Sequence, residues 1–172
     1  FGRNFVRRGS DTGLCYKYEN KVLSLACFGG YDINSFDMKK LKSNSKNQMK
    51  MMMKALFSIK WFAKANKKIS AYTSEAQAEF YEMNIQFKKS SFMYLSGLQK
   101  LVNKYPKKQR QYKLLVGCGE HDIPEEIEIV NEWAQNENCD KIILKDAGHC
   151  VNMDAPQEFN KQLENFLINN NK

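Results

Sequence analysis

Three short apolar runs, each ended by a turn signal, constrain this chain more than any other feature. Lys21–Phe28 (K-V-L-S-L-A-C-F) stops at Gly29-Gly30, Tyr112–Val116 (Y-K-L-L-V) at Gly117, and Lys141–Leu144 (K-I-I-L) at the polar loop Asp146–Met153. Brief apolar runs without polar alternation suit strands buried on both faces, the condition of a parallel sheet. Helical patterns separate and follow the last two runs. Pro124 suits a first helical turn, with Glu125, Glu126 and Glu128 near the helix N-terminus, and this helix is predicted to reach about Ala134. Asp154 and Gln157 resemble a capping box with Pro156 in the first turn, and Phe159, Leu163, Phe166 and Leu167 form the apolar face of a closing helix. Strand–helix alternation of this kind predicts an α/β fold with about three parallel strands.

A long helical insertion separates the first two runs. Asp37–Lys68 contains neither Pro nor Gly and is rich in Lys, Met and Ala, all good helix formers. Met49, Met52, Leu56, Ile59 and Ala63 recur at three- and four-residue steps as one apolar face, while Lys42, Lys46, Lys50 and Lys54 form a basic stripe. Thr73–Phe87, with Thr73 as N-cap, and Phe92–Tyr105 read as further helices. The predicted organisation is an N-terminal segment with the first core strand over 1–36, a helical cap over 37–106, and a C-terminal core over 107–172.

The chain's 172 residues suit one domain, and a hydrophobic fraction of 42% excludes a disordered chain. No apolar run reaches the roughly 18 residues of a membrane span, and no leader with an apolar core follows the basic Phe1–Arg8 stretch. The five cysteines are odd in number, widely spaced and without a C-x-x-C pair. They read as reduced thiols in a cytoplasmic protein. Charge is divided: residues 1–110 carry 22 Lys and Arg against 7 Asp and Glu, and residues 111–172 carry 5 against 12. A basic front can meet an anionic membrane or nucleic acid, and it can equally be a solvated helical face.

Chemistry in α/β sheets gathers beyond the C-terminal ends of strands. Two polar clusters fall there: Gly117-Cys118-Gly119-Glu120-His121-Asp122, and Asp146-Ala147-Gly148-His149-Cys150. One offers an acid and the other a histidine. Asp122 and His149 are 27 residues apart, room for one helix and one strand, so neighbouring strands would bring them together. Glu120 is the nearest alternative to Asp122, and Asp146 the next. His121 reads as a loop residue and Cys150 as a packing residue.

The segments L-L-V-G-C-G-E-H-D-I-P and I-I-L-K-D-A-G-H-C-V-N-M-D-A-P-Q-E-F-N resemble the C-terminal portion of the α/β-hydrolase family. That family places its acid after one strand and its histidine after the next, in the order nucleophile, acid, histidine. The resemblance covers about Val22–Leu167 and is specific over Leu114–Phe166. It implies His149 as general base and Asp122 as the group that orients and stabilises its imidazole. It also implies a nucleophile in G-x-S-x-G, a pattern this chain does not contain. The nearest approach, Gly9-Ser10-Asp11-Thr12-Gly13, has its second glycine three residues after the serine, and Ser10 lies only 12 residues before Val22. No strand is predicted ahead of Ser10, because Phe5-Val6 is short and runs into Arg7-Arg8.

The resemblance therefore implies a serine-type hydrolase of a small-molecule ester or acyl substrate, represented by its acid–histidine portion. A complementing N-terminal half or a homo-oligomer is the expected partner. The Met- and Phe-rich stretches of the cap, Met49–Phe62 and Phe87–Leu98, would suit an apolar acyl group. The alternatives are an inactive truncated remnant, or a binding module that uses the basic cap on membrane or nucleic acid. No nucleic-acid motif, metal-ligand pattern or dinucleotide fingerprint occurs, so no nucleic acid and no cofactor are expected.

Overall fold

The three apolar runs form strands, and they pair in parallel as neighbours. The computed structural model describes residues 3–7, 15, 17–32, 45–88 and 110–169. Its sheet has the order β1-β2-β3-β4, with β1 at Arg3–Arg7, β2 at Val22–Phe28, β3 at Lys113–Gly119 and β4 at Asp140–Leu144. All neighbouring pairs are parallel. β1 corrects the expectation of no strand at Phe5-Val6. Its five residues pair with β2 from Arg3↔Val22 to Arg7↔Cys27. Backbone pairing with an existing strand supplies what a two-residue apolar run cannot.

Alternation along the strands splits the core into two layers. Leu25 and Cys27 of β2 join Leu114, Val116 and Cys118 of β3 on one face, under Val130 and Trp133 of helix α4 (Pro124–Glu137). Ala26 and Phe28 join Leu115 and Leu144 on the other, under Phe166 of helix α6 (Pro156–Asn169), with Phe159 and Leu163 packed alongside. Phe28 and Phe159 meet edge to face at 4.9 Å. Helix α4 ends at Asn138, which takes the left-handed conformation (φ 45°) while the Cys139 amide bonds the Ala134 carbonyl.

The helical insertion follows β2, the first of the predicted strands. Its described part is α1 (Ser45–Phe57), α2 (Ile59–Ser70) and α3 (Ser74–Ile85). The helical stretch expected over Asp37–Lys68 is interrupted at Ser58. That residue is extended, and its hydroxyl accepts the Trp61 amide as the N-cap of α2. The predicted apolar face is also revised: Ala63 is buried, but Met49 and Leu56 are each 63% exposed. Thr73 caps α3 as expected, accepting the Ala76 amide at 3.3 Å. The helix expected over Phe92–Tyr105 and the Ser10 motif lie outside the described residues. Among the described residues no helix is long and apolar enough to cross a membrane.

Truncating Leu115, only 1% exposed, to alanine should lower unfolding free energy by about 2–5 kcal/mol. Leu56→Ala on the exposed face of α1 should change it by less than about 0.5 kcal/mol. Denaturant midpoints of the two variants test the burial pattern.

Candidate active site

β3 and β4 run side by side, with Gly119 opposite Leu144 at their C-terminal ends. The pairing continues into the loops beyond. The Glu120 amide bonds the Leu144 carbonyl at 2.8 Å, and the His121 amide bonds the Ala147 carbonyl at 2.9 Å. A Cβ on Gly119 would lie 2.0 Å from the Ala147 oxygen, so only glycine admits this approach. The acid loop and the histidine loop are thereby joined backbone to backbone before any side chain meets.

Asp122 and His149 do meet. The His149 Nδ1 lies 3.1 Å from Asp122 Oδ2. The Asp122 side chain is fully buried, whereas the imidazole keeps 29% exposure. Asp122 Oδ1 accepts the Ile123 amide at 2.8 Å. Both carboxylate oxygens are thus engaged, which fixes the carboxylate plane. A carboxylate oxygen accepts, so this contact suits the tautomer that carries its proton on Nδ1. Gly29 follows β2 with φ +58°, and a Cβ there would stand 2.9 Å from His149 Cε1. The imidazole is confined between a buried carboxylate and a bare backbone.

The other acids and the neighbouring residues go elsewhere. Glu120 is exposed and accepts the Asp146 amide at 3.4 Å, and Asp146 is itself exposed. The His121 ring stacks on Tyr72 at 3.7 Å. Cys150 is wholly buried, consistent with its reading as a packing residue. Asp154 departs from its expected capping role. Helix α6 begins with the Phe159 amide bonding the Ala155 carbonyl, so Ala155 stands at the cap. The Asp154 carboxylate reaches across to Tyr72, Thr73 and Gly148 instead.

Several solved structures share this fold. MenH from S. aureus superposes with a TM-score of 0.72 at 12% identity, over 99% of this chain and 70% of that one. A carboxylesterase structure from the ammonia-oxidizing Thaumarchaeon Nitrososphaera gargenis gives 0.73 at 15%, over 98% and 65%. The enol-lactonase from Burkholderia xenovorans LB400 gives 0.71 at 17%, over 97% and 66%. This is a partial α/β-hydrolase fold. The chain spans about two thirds of the length of these structures. No protein-family model and no curated protein matches it.

In this hydrolase fold a second carboxyl lies near the pair. Glu126, in the first turn of α4, is 9% exposed, and its Oε1 has no hydrogen-bond partner. Burial, opposed by the His149 charge and reinforced by that of Asp122, pushes its carboxyl up to about 7. The same carboxyl, after burial itself, helps raise the Tyr31 hydroxyl. Burial, reinforced by Asp122 and Glu126, also pushes the Cys118 thiol up to about 12, which makes it a packing group and no nucleophile. The sequence reading placed Glu126 only at a helix N-terminus. Its spacing with buried Val130 and Trp133, four and seven residues on, puts it on the inward face of α4.

A cavity of about 600 Å³ opens between the helical insertion and the start of α4. Met51, Phe62 and Ile69 line it from the insertion, and Ile123 from the residue after Asp122. Lys50, Lys54 and Glu125 also line it.

Glu126 sets a pH dependence of stability. Its folded pKa of about 7 exceeds the ordinary 4.5, so the folded state holds the extra proton between those values. The stabilising contribution is complete below pH 4.5 and is lost as pH rises through 7. Glu126→Gln should therefore be more stable than the unaltered chain at pH 8, by about 1–3 kcal/mol, with the difference shrinking towards pH 4.5. Denaturant midpoints at the two pH values measure it.

Proposed function

We propose that this chain carries the acid and general base of a serine-type ester hydrolase, with His149 as the base and Asp122 as its orienting acid. The contact between His149 Nδ1 and the buried Asp122 carboxylate carries the reading. A carboxylate on Nδ1 makes Nε2 the basic nitrogen of the ring, the one that takes a proton from a hydroxyl nucleophile and returns it to the leaving alcohol. It also stabilises the imidazolium formed between those steps. Similarity of fold to a carboxylesterase and an enol-lactonase supports an ester or lactone as substrate class. The cavity that begins at Ile123 offers apolar walls for the acyl portion.

The absence of G-x-S-x-G from the sequence favours a second reading, in which the chain by itself does not turn over. On that reading the nucleophile and the oxyanion donors come from a complementing segment. Ser10 is the candidate within the chain.

Hydrolysis of a short-chain p-nitrophenyl ester decides between them. Ser10→Ala and His149→Ala should each lower turnover by about 10³-fold or more if the chain is a complete catalyst, and Asp122→Asn should do so by a similar factor. Turnover restored only by an added segment containing G-x-S-x-G would establish the second reading. Turnover that persists in His149→Ala would sink both.

A further inference from the structure

The Asp154 carboxylate sits where donors from two distant parts of the chain converge. Oδ1 accepts the Thr73 amide at 2.8 Å, the Thr73 hydroxyl at 2.9 Å and the Tyr72 amide at 3.0 Å. Oδ2 accepts the Gly148 amide at 2.9 Å and also lies 3.0 Å from the Tyr72 amide. Tyr72 and Thr73 form the junction between α2 and α3, while Gly148 immediately precedes His149. One charged acceptor therefore holds the helical insertion and the histidine loop together, and bonds to an ionised acceptor are the stronger kind.

Other contacts converge on the same seam. The Cys150 amide bonds the Ser70 carbonyl at 2.7 Å, so both residues flanking His149 are held at this junction, one by Asp154 and one by Ser70. A Cβ on Gly148 would lie 3.2 Å from the Tyr72 nitrogen, a measure of how closely the two backbones approach. The stack of Tyr72 on His121 ties the acid loop to the same point. Asp154 reaches the seam because α5 (Val151–Asp154) is a single turn that brings the chain back over the loop it has just left.

We propose that Asp154 is a positioning residue that makes docking of the α2–α3 junction and alignment of His149 on Asp122 a single event. The proposal rests on the reading of His149 and Asp122 as the acid–histidine pair. A histidine loop released from the junction loses the acceptor for Gly148, and with it the restraint that keeps Nδ1 on Oδ2. The site is then assembled only while the helical insertion is down. Asp154 acts through the loop and touches no reacting atom.

Nuclear magnetic resonance of the full chain tests this without substrate. The chain has two histidines, His121 and His149, so its imidazole signals can be assigned by substitution of one. Asp154→Asn keeps the side chain's size but turns one acceptor into a donor facing amide donors. We expect amide exchange at Thr73 and Gly148 to accelerate by about tenfold or more, and the His149 Nδ1 proton to exchange with water faster by a similar factor. Thr73→Ala removes the hydroxyl's bond to Asp154 and its cap on the Ala76 amide, and because the backbone amides still reach Asp154 it should move the His149 signals in the same direction by less. It also serves if the Asp154 variant fails to fold. Faster exchange at Thr73 with unchanged His149 signals would overturn the proposal, since Asp154 would then fasten the insertion alone. Unchanged exchange at both Thr73 and Gly148 in Asp154→Asn would overturn it too. Failure of the unaltered chain to cleave an ester bears on the hydrolase reading alone, because these signals are read without turnover.

Discussion

The parallel pairing of β3 with β4 is the constraint on which the candidate site depends. Two strands that pair in parallel end at the same edge of the sheet, so the loops that follow them are neighbours whatever their sequence. Here the ladder reaches past the strands, through the Glu120 and His121 amides, and sets the two loops in register. Asp122 and His149 then need only short side chains to meet at 3.1 Å. Helix α4 makes the parallel return possible, and its burial against Val116 and Cys118 holds β3 from below.

The site is electrostatically costly, and the structure shows how the cost is met. A fully buried Asp122 carboxylate is tolerated because one oxygen takes a backbone amide and the other takes the imidazole. Glu126, buried nearby with an unpartnered oxygen, is accommodated differently: its proton stays on to near pH 7.

Much of this fold was legible in the sequence, and the parts that were not share a physical cause. Lys21–Phe28 and Tyr112–Val116 declared themselves because central strands buried on both faces are nearly all apolar, whereas Lys141–Leu144 has the same apolar look but forms the edge strand β4, where Ile143 is 42% exposed. Asp122 and His149 were legible because strand ends locate them without knowledge of any side-chain contact. The β1 strand was missed because its evidence is a partner 19 residues away and no local pattern records it. The break at Ser58 was missed because serine is a permitted helix residue, and only its hydroxyl's choice of the Trp61 amide marks a new start. Asp154 was read as a cap because its local spacing fits one; the donors that claim it lie some 80 residues upstream. Glu126 was legible in principle, through its period with Val130 and Trp133, but a charged residue in a first turn is ordinarily solvated.

The glycines around His149 carry a consequence for how such a site diversifies. Gly29 faces the imidazole, Gly119 faces the Ala147 carbonyl, and Gly148 faces the backbone of the α2–α3 junction. A Cβ at Gly29 would press the imidazole and one at Gly119 would displace the histidine loop, while one at Gly148 would crowd the junction at 3.2 Å, so this rim resists variation, whether by drift or in a mutagenesis library. Met51, Phe62 and Ile69 line the cavity from the insertion, and their side chains can change size and polarity without altering the bonds that hold the histidine loop. New selectivity on this scaffold would be selected in the insertion, with the glycine rim as the fixed frame.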